Sequence, residues 1–111
     1  MNTQELQFEL MKKASFNNFH AEQVVADLKA NTHLWDAALM DQSNLVKLRD
    51  LQEDVWNVST LYILTGMKSD QLYELARLWN PSSIRWIEGD EACVRLDSYI
   101  SGDYVLCVWW K

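Results

Sequence analysis

The spacing of apolar residues in the first half of the chain is typical of short amphipathic helices. Apolar positions recur there at steps of three and four, which places them on one side of a helix. In the first helix, Leu6, Leu10 and Met11 share the predicted apolar face and Phe8 flanks it. The first predicted helix runs from Asn2 or Thr3 to about Ser15, and the second from about His20 to Ala30. A short third helix has Leu34, Trp35, Ala38 and Leu39 on one side, and a fourth runs from Ser43 to Glu53. The fifth runs from Asp70 to Trp79, with Ser69 as its cap and Asn80-Pro81 as its end.

Residues 55–64 fit two alternatives. Val55, Val58 and Tyr62 continue the helical spacing of the preceding segment, which would extend that helix. The stretch is also rich in β-branched and aromatic residues, which favour strands. We favour a strand, and Gly66 ends the element in either case.

The last thirty residues have the pattern of an antiparallel sheet. Apolar and polar residues alternate over 84–87 and 93–100, and turn residues stand at 89–91 and 101–103. The final run, 104–110, is apolar at nearly every position, whereas a strand with one solvent-facing side would alternate. We therefore expect this strand to be central or covered on both faces, with residues 55–64 as the natural partner for its second edge.

These elements predict a single α+β domain over 1–111, with N-terminal helices packed on a C-terminal antiparallel β-sheet. The 111 residues are 49% hydrophobic and 23% charged, an ordinary globular balance. Only three glycines and one proline interrupt the chain, which argues against disordered and collagen-like classes.

Charge and hydropathy narrow the set of partners. A net charge of −6 disfavours electrostatic binding to the phosphate backbone of a nucleic acid, so we expect no nucleic-acid partner. The N-terminal residues lack the basic start and apolar run of a signal peptide, and no stretch approaches the roughly 18–20 apolar residues that span a bilayer. We expect a cytoplasmic protein with no membrane partner.

Metal and thiol chemistry find little support in the sequence. His20, His33, Cys93 and Cys107 are too far apart to form the local ligand pairs of structural zinc sites, and no cofactor is implied. If 101–103 is a hairpin turn, the two cysteines lie about three to five positions out of register, roughly 10 to 17 Å along the strands. A disulfide needs Cα atoms within about 7 Å. We therefore expect both cysteines to be reduced and buried.

Catalytic motifs are also missing, and no catalytic residue is predicted. Gly66-Met67-Lys68-Ser69 faintly resembles the end of a phosphate-binding loop, but the glycines that such a loop needs are absent. A turn followed by a helix cap explains the same residues. Asp97 stands beside Arg95 on a predicted strand and would act as an acid or base only if its pKa were shifted.

The six tryptophans are the most unusual feature. Trp109 and Trp110 are strand neighbours and therefore point to opposite faces of the sheet. So small a chain has few helices with which to cover both faces, so one of the two is expected to be exposed; the alternative is that helices cover both faces and every tryptophan is structural. Exposed tryptophan and tyrosine mark binding surfaces. The predicted binding residues are Trp86, Tyr99, Trp109, Trp110, Arg85, Arg95 and Asp97.

These observations favour a small acidic protein-binding module, such as an adaptor, an inhibitor or an immunity-type protein. Its aromatic patch would be ringed by carboxylates that steer a basic partner, and a second copy of the chain is one candidate partner, giving a homodimer. The alternative is a small-molecule-binding domain or small enzyme. Its aromatic pocket would lie near Trp86, Tyr99 and Trp109, with Tyr62 in its wall and Arg85 or Arg95 holding an anionic group.

Overall fold

A computed structural model describes residues 2–14, 19–41, 47–56, 58–88 and 104–110. Within them, four α-helices accompany a four-stranded antiparallel sheet, which confirms the predicted α+β class. In chain order the elements are α1 (Thr3–Met11), α2 (Ala21–Ala30), a 3-10 turn (Thr32–Leu34), β1 (Ala37–Asp41), α3 (Lys47–Gln52), β2 (Thr60–Thr65), α4 (Asp70–Arg77), β3 (Ser83–Glu88) and β4 (Tyr104–Trp109).

The last strand lies inside the sheet, as its apolar pattern predicted. The strand order is β1-β2-β4-β3, so β4 pairs with β2 on one edge and with β3 on the other. Residues 60–65 are a strand, which confirms the favoured interpretation of that segment and excludes the long helix. The strand begins at Thr60 rather than at the expected Val55.

The prediction that residues 93–100 form a hairpin with the last strand was wrong, because β4 has no edge left for them. Both edges of Tyr104–Trp109 are taken by β2 and β3, which leaves no edge for a hairpin across 101–103. Residues 89–103, with the predicted turns and Cys93, lie outside the described residues. The predicted offset between Cys93 and Cys107 is therefore untested, whereas Cys107 is buried and forms no disulfide with a described residue.

The predicted helix through Leu34, Trp35, Ala38 and Leu39 was also wrong. After the 3-10 turn the chain becomes extended, and β1 pairs with β2 so that Leu39 lies opposite Tyr62. The run of Ala37 to Met40 is too short for periodicity to separate strand from helix, and pairing with β2 decides its conformation.

The apolar face of α1 differs from the expected one. Phe8 and Met11 are buried, whereas Leu6 is 54% exposed. The helix ends at Met11 rather than near Ser15. Gln4 and Gln7 stand on the same side as Phe8 and Met11, and both contact β1, so this face packs against the sheet edge.

The helix caps follow the sequence closely. Asn2 caps α1, with its Oδ1 accepting the Glu5 N–H at 2.8 Å. The Ser69 hydroxyl accepts the Leu72 N–H at 3.2 Å, which confirms Ser69 as the cap of α4. The turn at Gly66 thus leads into a helix cap. α2 spans Ala21–Ala30, in agreement with the predicted helix from about His20 to Ala30. α3 spans Lys47–Gln52, and the start expected at Ser43 lies in 42–46, outside the described residues. α4 ends at Arg77, two residues before the expected Trp79.

The main core lies between the helices and one face of the sheet, here called the helix face. Its strand residues are Ala38, Met40, Leu61, Ile63, Leu106 and Val108. They meet apolar side chains from α1, α2 and α4, including Phe8, Leu28 and Leu72. Because side chains alternate along a strand, the residues between them point to the opposite side, here called the far face.

Candidate functional site

The far face carries three rows of side chains that follow from the strand register. The first row runs Ala37, Leu64, Val105, Ile87; the second runs Leu39, Tyr62, Cys107, Arg85; the third includes Thr60, Trp109 and Ser83. Val105, Cys107 and Ile87 form a small buried cluster against which Tyr62 and Leu64 pack. None of the described helices contributes a side chain to this cluster.

Two large apolar residues of the far face remain exposed. Trp109 is 38% exposed and Leu39 is 37% exposed. Tyr62 connects them, because it lies directly opposite Leu39 and diagonally to Trp109. Arg85 is diagonal to Trp109 on the other side. Diagonal neighbours on one face of a sheet are within reach of aromatic and long side chains. We call Leu39, Tyr62, Arg85 and Trp109 the far-face patch.

Trp110 has the opposite environment from its neighbour. It points to the helix face and is only 1% exposed. Its indole N–H donates to the Trp79 carbonyl at 3.0 Å, and its ring meets Phe19 edge-on at 4.8 Å between centroids. Trp110 is therefore a core residue, and we leave it out of the candidate surface.

The other buried tryptophans are structural as well. The indole N–H of Trp35 donates to the Leu28 carbonyl at 2.8 Å, and that of Trp79 donates to Asp27 Oδ2 at 2.8 Å. Trp56 donates to the Met40 carbonyl at 3.4 Å. Each of these rings thus contributes apolar area to the core while its polar atom is satisfied.

Trp86 and Trp109 do not share a surface. Trp86 packs on the helix face, where its ring meets Tyr104 at 6.4 Å in an edge-on arrangement. Lys68 Nζ lies 5.5 Å from the centre of the Tyr104 ring. Because the sheet separates the two indoles, a pocket lined by both is not formed. Tyr99, Arg95 and Asp97 lie outside the described residues.

Side chains that bind metal ions are not clustered in the part of the chain that the structure describes. No group of three or more His, Cys, Asp or Glu side chains among them is arranged to hold a metal ion. His20 and His33 are exposed, with His20 at the start of α2. None of the helices in the described ranges is long and apolar enough to cross a bilayer.

The structure also contains an apolar groove between α1 and α3 that was not predicted from the sequence. It has a volume of about 310 Å³, and its lining includes the apolar residues Leu6, Leu10, Leu51 and Val55 and the charged residues Lys13 and Asp54. The Lys13 ammonium pairs with Asp54 at 3.0 Å. The groove could not be predicted because it requires Leu6 and Leu51 to be exposed. The exposure of Leu6 depends on which face of α1 packs against the sheet.

Comparisons with protein-family models, with curated proteins and with solved structures find no match to this chain.

Proposed function

We propose that this chain is a protein-binding module whose contact surface is the far-face patch. The observation that carries the proposal is Trp109, which stands 38% exposed at the end of β4, after four buried residues of the same strand. Tryptophan gives a large contact area with a polar tip and is enriched among the residues that dominate binding energy.

The chemistry of the patch favours a protein surface over a small ligand. Leu39, Tyr62 and Trp109 lie together on one face of the sheet, and Arg85 adds one cation beside them. An apolar centre with a polar border is the usual anatomy of a protein interface. The pocket alternative loses support because Trp86 lies on the opposite side of the sheet.

The net charge of −6 suggests a basic partner, because the field of an acidic domain accelerates the approach of a positive surface. Asp97, the carboxylate among the predicted binding residues, lies outside the described residues. Its role as a steering charge stays a prediction, as does a cytoplasmic location.

The proposal is tested by quantitative capture with three baits from the lysate of the native host. The wild-type chain is compared with Trp109→Ser and with the matched control Leu78→Ser, since Leu78 is a large exposed apolar residue at the end of α4 rather than on the sheet. We expect a partner that binds the wild type and the control and is lost with Trp109→Ser. Its association rate with the purified chain should fall as salt is raised.

Circular dichroism and thermal unfolding should show that all three baits are folded. A partner retained equally by Trp109→Ser would overturn the proposal, because the exposed indole would then contribute nothing. A partner lost with both substitutions would place the interface elsewhere.

A further inference from the structure

A second apolar surface lies on the side of the molecule that α1 and α3 form. The groove between these helices is bordered by Leu6, which is 54% exposed, and by Leu51, which is 60% exposed. Leu48 lies three residues before Leu51, on the same side of α3, and is 82% exposed. These two short helices thus carry three of the seven large apolar side chains that are exposed among the described residues. Clustered exposed apolar groups mark interaction sites.

The charge of this surface differs from that of the rest of the chain. Residues 2–13 carry two acids and two bases, and residues 47–55 carry three acids and two bases. Their formal charge together is −1, whereas the whole chain is at −6. A basic partner gains little attraction from so nearly neutral a surface. A second copy of this acidic chain, by contrast, meets little repulsion there.

The charges of α1 are also ordered along the helix. Glu5 lies in its first turn and Lys12 is its C-cap, and both side chains are exposed. Because they are seven residues apart, they lie on the same side of the helix, about 10 Å from each other along its axis. Two α1 helices that pack antiparallel around a two-fold axis therefore bring each Glu5 towards the Lys12 of the other copy. Parallel packing would instead bring like charges together.

We propose that the surface formed by α1 and α3 binds the same surface of a second copy of the chain. The two α1 helices pack antiparallel, and the resulting contact of four helices encloses Leu6, Leu48 and Leu51 of both copies. Because each copy uses the same surface once, the contact closes at a dimer rather than continuing into a fibre. This inference goes beyond the proposed function, because it uses two helices rather than the far-face patch.

Sedimentation velocity of the full chain over a range of concentrations tests the assembly. We expect a species of twice the 13.0 kDa chain mass. Leu6→Glu and Leu51→Glu each place a charge inside the contact and should raise the dimer dissociation constant at least about tenfold, a change of 1.4 kcal/mol. The matched control is Leu78→Glu, which introduces the same charge at a leucine that is 75% exposed at the end of α4. This control should dimerise like the wild type.

Trp109→Ser separates this test from that of the proposed function. It changes the far-face patch and leaves both helices intact, so it should dimerise like the wild type even where it loses a captured partner. Leu6 and Leu51 are exposed in the single chain, so their glutamate variants should fold, and circular dichroism checks this. The loss of the dimer and the loss of a partner are therefore independent results.

An exchange of charges tests the antiparallel orientation without changing the leucines. Glu5→Lys and Lys12→Glu each set like charges together, so either variant alone should dimerise more weakly than the wild type. A mixture of the two variants restores both acid–base contacts, so the mixed dimer should form in preference to either pure dimer. Native mass spectrometry with one variant isotope-labelled measures this preference.

Three results would overturn the proposal. The first is a wild-type chain that stays monomeric up to about 1 mM, where association would contribute only about 4 kcal/mol. The second is a pair of folded variants, Leu6→Glu and Leu51→Glu, that dimerise as well as the Leu78→Glu control. The third is a mixture of the two charge variants that pairs at random.

Discussion

The side-chain amide of Gln4 takes the place of a neighbouring strand beside Ala38. Its Nε2 donates to the Ala38 carbonyl at 2.8 Å, and its Oε1 accepts the Ala38 N–H at 2.9 Å. Gln7 makes one such bond two residues further along β1, where its Oε1 accepts the Met40 N–H at 3.1 Å. A helix thereby closes a sheet edge, because the outward backbone groups of β1 are satisfied within the chain.

Removing this cap should destabilise the domain. Gln4→Ala leaves a partly buried N–H and C=O of Ala38 without partners, and we expect a loss of about 1–3 kcal/mol in the free energy of unfolding. Urea denaturation measures it. The control Gln71→Ala changes an exposed glutamine of α4 and should stay within about 0.5 kcal/mol of wild type. Equal effects of both changes would mean that the contact with Ala38 contributes nothing.

The two neighbouring tryptophans should respond in opposite ways to the same substitution. Trp110→Phe removes a buried N–H donor, strands the Trp79 carbonyl and leaves a cavity, so we expect a loss of about 2–4 kcal/mol. Trp109→Phe keeps an aromatic ring at an exposed position and should change stability by less than about 0.5 kcal/mol. Denaturation of both variants, followed by circular dichroism, provides the comparison. Similar losses would contradict the assignment of these rings to opposite faces.

The cap of α4 should have a measurable energy. Ser69→Ala removes the acceptor of the Leu72 N–H and should cost about 1 kcal/mol. Ser69→Asn retains an acceptor at the same position and should recover most of that loss. Thermal or urea unfolding measures the stability of the two variants. If Ser69 did not stabilise the helix as a cap, both variants would be equally stable.

Asn80 adopts a left-handed backbone conformation, with φ at 55°. Glycine adopts this conformation without the steric cost of a Cβ atom, so Asn80→Gly should unfold at nearly the same denaturant concentration as wild type. Asn80→Val places a β-branched residue there and should cost about 1–2 kcal/mol. A valine variant as stable as wild type would show that the backbone at this turn relaxes freely.

Much of the fold could be predicted because its signals are local. The Ser69 cap, the break at Asn80-Pro81 and the helical spacing of Leu72 and Ala76 act over three or four residues. The apolar run of β4 predicted a central strand, since only burial on both faces tolerates it. The alternation of Trp109 and Trp110 also predicted that the two rings point to opposite faces.

Other features depend on contacts between residues that are distant in sequence. The sequence alone determined the fold class, the caps and the central position of the last strand, since each follows from spacing or composition within a short window. Only the tertiary structure decided that Ala37–Asp41 is a strand, because its conformation depends on β2 and on glutamines 33 or 34 residues away. It also decided that Trp110 rather than Trp109 is buried, because Phe19 and Trp79 converge on one side of the sheet alone.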